Sequence, residues 1–443
     1  MKATFRRPTA HLGGVAFLVA MGLALQPAGR GHAQTPAQAD SALIEHGAYV
    51  AVLGDCMACH TVPGSTSYSG GLPLATPVGT IYSTNITPDR QTGIGSYSYE
   101  DFEQAVRHGI RKDGKTLYPA MPYPDFRHID DADMRALYAF FMSGVKPVHH
   151  QDNAPAISWP LSMRWPLAWW RWMFVPGTNV PSAAVAHDAL ADRGAYLVEG
   201  AGHCGTCHTP RGFALEQKAF SPQDGSAYLA GSRIDHYTVS NLRGGDIVGL
   251  GSWDEDDIVR FLQSGRNQHS AVFGGMADVV YQSTQHMSEA DLRAIAHFLK
   301  TLPPPADNRK FSYDPAVKQA LFRGDVTERG ALDYLNNCAA CHRSSGMGYE
   351  DTFPALAGNP VVNDPDPASL LHIVLTGGTI PGTHVAPTHY TMPSFGDRLS
   401  DQEVADILTF IRSGWGNHAS SIDAEQVGKF RKLIAPTNEK KTL

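Results

Sequence analysis

Cys56-Met57-Ala58-Cys59-His60, Cys204-Gly205-Thr206-Cys207-His208 and Cys338-Ala339-Ala340-Cys341-His342 are three copies of one Cys-x-x-Cys-His pattern, and they use all six cysteines of the chain. Cys-x-x-Cys alone has three ordinary readings: a disulfide, a redox-active dithiol, or half of a zinc site. A zinc site would set two such pairs close together, whereas these lie well over a hundred residues apart. A redox dithiol has no need of a histidine after every copy. On a helical turn, residues three and four apart share a face, so two thiols and an imidazole converge on one place. That is the attachment pattern of c-type haem, with thioether bonds from Cys56 and Cys59, Cys204 and Cys207, and Cys338 and Cys341. His60, His208 and His342 would then take the iron. The expectation is three covalently bound haems c.

The likeness between the three stretches extends past the cysteines. Each motif follows a short helical stretch opening on Gly-Ala: Gly47-Ala48-Tyr49-Val50, Gly194-Ala195-Tyr196-Leu197 and Gly330-Ala331-Leu332-Asp333-Tyr334. Each stretch closes on a helix with a start signal and an apolar stripe. Asp130-Asp131-Ala132-Asp133 leads to Leu137, Phe140 and Phe141; Ser288-Glu289-Ala290-Asp291 leads to Leu292, Ile295 and Phe298; Ser400-Asp401-Gln402-Glu403 leads to Val404, Leu408 and Ile411. An entry helix crossing a terminal helix around a haem is the plan of a small cytochrome c, and 443 residues leave room for three. The expected fold is all-α: three tandem cytochrome c-like haem domains at 38–150, 188–303 and 325–416, joined by linkers 151–187 and 304–324 and followed by a C-terminal tail, 417–443.

A haem that only carries electrons takes methionine opposite its histidine, on a loop ahead of the terminal helix. Tyr118-Pro119-Ala120-Met121-Pro122 and Tyr390-Thr391-Met392-Pro393 supply it in the first and third stretches, with prolines stiffening the loop. The second stretch offers Met276 and Met287. Met287 directly precedes the cap Ser288, the place of a hydrophobic staple, whereas Met276 stands well ahead of it as Met121 and Met392 do. Met276 is therefore the expected ligand and Met287 a core residue; Met57, Met134 and Met142 are read as packing. With both axial positions filled, no iron is left open to oxygen or peroxide, and the chain shows no dinucleotide loop or nucleophile elbow. No catalytic residue is expected; a fuel would be oxidised in another subunit.

Lys2, Arg6 and Arg7 precede an apolar run from Leu12 to Leu25, and Gly31-His32-Ala33 follows, which reads as a cleaved signal peptide over 1–33. The run is broken by glycines and ends at Gln26-Pro27, short of the roughly 20 apolar residues of a membrane span. The expected location is the periplasmic face of the cytoplasmic membrane, an oxidising compartment where six thiols have to be committed to something. Loss of that segment moves the formal charge from −7 to −11, since it carries Lys2, Arg6, Arg7 and Arg30 and no acid. A chain this acidic is not a nucleic-acid binder.

The two linkers differ. Pro303-Pro304-Pro305 to Tyr313 reads as a spacer. The first holds Trp159, Trp165, Trp169, Trp170 and Trp172, five of the chain's seven tryptophans, with Arg164 and Arg171 between them. Aromatics mixed with basic residues point either to a membrane-interface or partner-docking segment, or to rings that cover the first two modules.

Three passages resemble a known family: Pro77-Val78-Gly79-Thr80-Ile81-Tyr82-Ser83-Thr84-Asn85-Ile86-Thr87-Pro88-Asp89, Ser158-Trp159-Pro160-Leu161-Ser162-Met163-Arg164-Trp165-Pro166-Leu167, and His269 to Val280, with Asn359-Pro360 as a further match. The family is the triple-haem cytochrome c subunit of membrane-bound, quinone-dependent dehydrogenases of acetic acid bacteria, and the likeness is strongest to the quinohaemoprotein alcohol dehydrogenase group. The resemblance covers the mature chain. It implies an electron-transfer subunit that takes electrons from a large catalytic subunit, carrying pyrroloquinoline quinone (PQQ) in alcohol dehydrogenases and flavin or molybdenum in relatives, and delivers them to ubiquinone at the membrane surface. The cysteines, histidines and methionines above, Met276 included, fall on its haem positions, and the tryptophan-rich linker falls where it meets partner or membrane. After Gly414-Trp415-Gly416 the chain departs from it with a short lysine-bearing tail. A subunit of a gluconate, sugar alcohol or aldehyde dehydrogenase, or a free periplasmic multihaem carrier, are the alternative readings.

Overall fold

The structure, a computed structural model, describes residues 36–175, 177, 188–305 and 309–435. The expected signal peptide, 1–33, lies outside the described residues. The described residues from Ser41 onward gather into one compact unit. It is predominantly helical, with three small antiparallel pairings: Pro73–Thr76 with Gly79–Tyr82 and Ala156–Ile157, Ser232–Ile234 with Tyr237–Val239, and Gly378–Ile380 with Tyr390–Met392.

Each Cys-x-x-Cys-His motif follows an entry helix: Pro36–Leu53, Ala189–Ala195 widening into Tyr196–Ala201, and Ala331–Asn337. Each stretch ends on a terminal helix: Asp131–Ala139 widening into Phe140–Gly144, Glu289–Thr301, and Asp401–Ser413. The start signals act as caps, because the side chains of Asp130, Ser288 and Ser400 accept the backbone N–H of Asp133, Asp291 and Glu403. The repeated Gly-Ala has a different role from a helix start in the first two stretches, where the helix begins upstream. A Cβ on Gly47 would stand 1.9 Å from the Ala136 carbonyl oxygen, one on Gly194 2.0 Å from that of Ala294, and one on Gly330 2.2 Å from that of Asp406. The glycine marks the point where entry and terminal helices touch backbone to backbone.

The first two stretches do not keep separate interiors. One core runs from Val50, Leu53, Met134 and Phe141 through to Leu197, Leu292 and Phe298. The joint is reciprocal: Tyr49 on the first entry helix donates to Asp291 Oδ2 at 2.6 Å, and Tyr196 on the second donates to Asp133 Oδ2. The acceptors are the aspartates at the matching position of each terminal helix, so the two stretches embrace through equivalent residues. The third stretch has its own core around Tyr334, Leu408, Phe410 and Trp415.

Two segments behave differently from their sequence reading. The proline-rich stretch is more than a spacer: the Pro303 carbonyl accepts from Arg243 Nε at 3.0 Å, Phe311 packs on the third core, and Tyr313 donates to the Ser345 carbonyl at 3.0 Å. The region read as a tail contains a helix, Ala424–Ile434, opened by a capping box between Asp423 and Gln426. Its Val427 and Phe430 are buried in the third core, which stabilises by roughly 1.5–3 kcal/mol per side chain, and Arg431 binds Asp401 and the carbonyls of Gly396 and Leu399.

Candidate haem-attachment sites

The motifs form short helical turns, Cys56–His60, Gly205–His208 and Ala339–His342, that bring both thiols and the imidazole to one side. All six cysteines are free of disulfides. Burial pushes the thiols of Cys56, Cys204 and Cys338 up to about 12 and that of Cys59 up to about 11. A redox dithiol needs the opposite, a thiolate at neutral pH, so burial of Cys56, Cys59, Cys204 and Cys338 works against disulfide exchange.

Each histidine is held by a backbone carbonyl. His60 Nδ1 donates to Thr84 O at 2.7 Å, His208 Nδ1 to Ser240 O at 2.7 Å, and His342 Nδ1 to Pro354 O at 2.9 Å. That bond fixes the tautomer and leaves Nε2 as the lone-pair atom a metal requires. Burial lowers the pKa of all three imidazoles against the opposing pull of the hydrogen bond, which keeps the rings neutral. Asp55, directly before Cys56, is pushed up to about 8 by burial and by Asp278, so it adds no negative charge beside the first motif at neutral pH.

At the third motif the cavity itself is visible. Cys338, Cys341 and His342 share it with Met392, and its walls are apolar, among them Leu356, Leu370, Ile407 and Ile411. Two thiols, a tautomer-locked imidazole, a thioether and an apolar slot are what haem c needs from a protein, and the residues fit the group. Such a haem supplies reversible one-electron chemistry when bound. The chain's own part is to close the slot to water, orient the imidazole and present the sulfur.

The three candidate methionines are placed differently. Met392 ends a strand and shares the cavity of His342. Met121 packs into the core that also holds Cys56. Met276, at the start of the Gly275–Gln282 helix, sits in a small cluster with Val272, Val280, Ile380 and Tyr390, between the second and third stretches. Met287 and Met134 are buried in the core shared by the first two stretches, where Met142 packs as well. The carbonyls of Thr84 and Ser240 escaped the sequence reading. Their signal is a recurring pair, Thr84-Asn85 and Ser240-Asn241, in which the asparagine side chain accepts a backbone N–H two residues on and shapes the turn.

Residues 44–144 and 327–415 match the model of the cytochrome c family. The chain is 53% identical over 400 residues to the gluconate 2-dehydrogenase cytochrome c subunit of Pantoea cypripedii, covering 89% of this chain and 91% of that protein. It is also 53% identical over 422 residues to the cytochrome c subunit of the quinone alcohol dehydrogenase of Gluconobacter oxydans, covering 95% and 88%, and 35% identical over 419 residues to the fructose dehydrogenase cytochrome subunit of Gluconobacter japonicus, covering 90% and 84%. The chain belongs to the cytochrome c subunits of quinone-dependent dehydrogenases. As a member of that family it is an electron-transfer subunit with covalently bound haem c.

Proposed function

We propose that this subunit carries three haems c, one in each of domains 38–150, 188–303 and 325–416, and passes electrons from a PQQ alcohol dehydrogenase subunit to ubiquinone at the periplasmic face of the cytoplasmic membrane. Each iron would lie between histidine and methionine: His60 and Met121, His208 and Met276, His342 and Met392. No substrate is oxidised in this chain. The matching carbonyl bond at all three histidines supports three haems. Equal identity to the alcohol and gluconate relatives keeps a subunit of a gluconate dehydrogenase as the alternative reading.

The observation that carries the membrane reading is the Trp165–Phe174 helix. Its polar groups turn inward: Arg171 Nη1 donates to His108 O at 2.9 Å, Arg164 Nη1 to Thr116 O at 3.1 Å, and Trp170 Nε1 to Ala214 O at 2.8 Å. The other four tryptophans of the segment turn outward. Trp159, Trp165, Trp169 and Trp172 are 60–79% exposed, beside Phe213 at 93%. An uncharged face of tryptophans rooted by arginines on the protein side suits the interfacial layer of a bilayer, where an aromatic ring is half apolar and half wet. Among the described residues no helix is long and apolar enough to cross a membrane, so this face offers surface attachment.

The test combines fractionation with partner capture. Washed membranes are extracted with detergent, the chain is captured, its large subunit identified, and ubiquinone reduction assayed with ethanol and with gluconate. The double variant W169S/W172S is expected to leave the membrane at low salt with its haem spectrum unchanged. Retention of that variant on the membrane defeats the attachment reading; a chain that fractionates without a dehydrogenase defeats the subunit reading.

A further inference from the structure

Haem attachment and ligation leave unexplained two features of the sequence, the polar start of the His269 to Val280 passage and Asn359. Their side chains and backbone meet. Asn359 is buried, and its Nδ2 donates twice, to Ala355 O at 2.8 Å and across the stretches to His269 O at 3.0 Å. Its Oδ1 accepts Val361 N at 2.9 Å and caps the Pro360–Asn363 turn. Ala355 directly follows Pro354, whose carbonyl holds His342. On the far side the His269 ring is pinned by Asp257 Oδ2 at 3.0 Å and stacks on Trp253 with ring centroids 5.3 Å apart. Beyond His269, residues Ser270 to Phe273 form part of the wall of the third-motif cavity, and Met276 follows three residues later.

We propose that Asn359 is a positioning residue that sets the second and third haem pockets as one unit. Through His269 it holds the 269–276 loop, which closes the third pocket with Phe273 and offers Met276 to the second haem. The inference rests on the three-haem reading with Met276 as a ligand. Both donors of the Asn359 amide are used by carbonyls of different stretches, that of Ala355 buried and that of His269 half-buried, so its loss frees the loop from the backbone that orients His342. Serine at 359 keeps a cap for Val361 but is too short to reach two carbonyls, which separates bridging from local helix stability.

The experiment uses the full chain with its dehydrogenase partner. Haems are counted by alkaline pyridine spectra, and N359S, F273L and M276L are titrated potentiometrically alongside the parent. In N359S three haems remain, two midpoint potentials move together, and the remaining one, that of the haem unaffected by both M276L and F273L, stays at its parent value. F273L moves one potential, that of the third haem, and M276L removes the methionine-to-iron band of one haem. A shift of a single potential in N359S, or of none, overturns the proposal. N359T replaces N359S if that variant does not accumulate. Fewer than three haems in the parent, or an unchanged spectrum in M276L, is the separate failure of the reading beneath it.

Discussion

The imidazoles of His60, His208 and His342 owe their readiness for a metal to one backbone hydrogen bond each, and other buried polar residues around the motifs are held as tightly. Asp125 is the strongest case. It stands four residues after Met121 yet reaches the second motif, where its carboxylate accepts from Thr206 Oγ1 at 2.9 Å and Gln217 Nε2 at 3.3 Å. Burial raises its pKa to about 6, with those bonds and Arg211 and Arg127 pulling the other way. In the unfolded chain the group titrates near 3.9, so the native state holds the proton more tightly. The contribution is complete below about pH 4 and is lost as pH rises through about 6. D125N keeps an acceptor for Thr206 without the charge. The parent should lose on the order of 3 kcal/mol relative to D125N between pH 4 and pH 8, read as urea midpoints at the two pH values. A pH-independent difference would mean that the carboxylate is compensated in place.

At the scale of elements, the entry and terminal helices are joined by glycine contact within a stretch and by tyrosine-to-aspartate bonds between stretches. Tyr49 gives Asp291 one hydrogen bond while Arg193 gives it two, at 2.7 and 2.9 Å, so the aspartate stays partnered when the tyrosine hydroxyl is removed. Y49F and Y196F should each lower stability by about 1–2 kcal/mol, measured by denaturant unfolding, and leave the haem spectra intact. No change in either variant would make the reciprocal joint incidental to the pairing. The Trp165–Phe174 helix is fixed in the opposite sense, with polar anchors below and rings above. Its exposed face could not be read from composition, because alternating Arg and Trp fit a buried cover as well as a docking face.

At the scale of the molecule, the three repeats fold around two large cores, one common to the first pair and one for the third. Native-state hydrogen exchange should therefore show two cooperative units, Ser41 to Leu302 and Phe311 to Ile434, instead of three. Three independent protection levels, one per motif, would refute the shared core. What was legible in the chain were the features written locally: thiols and imidazole within one helical turn, and caps three residues from their partners. These depend on neighbours within a few positions, whose geometry the backbone sets by itself. The proline-rich stretch and the last helix are not legible locally because their partners, Arg243, Ser345 and Asp401, lie about 30 to 60 residues away in sequence. Only the tertiary structure decided which carbonyl orients each histidine, that the first two repeats embrace, that the glycines mark helix crossings, and that Asn359 ties one repeat to the next. Each of these is a contact through space between residues whose own preferences are satisfied in many other arrangements, so packing of the whole chain selects it.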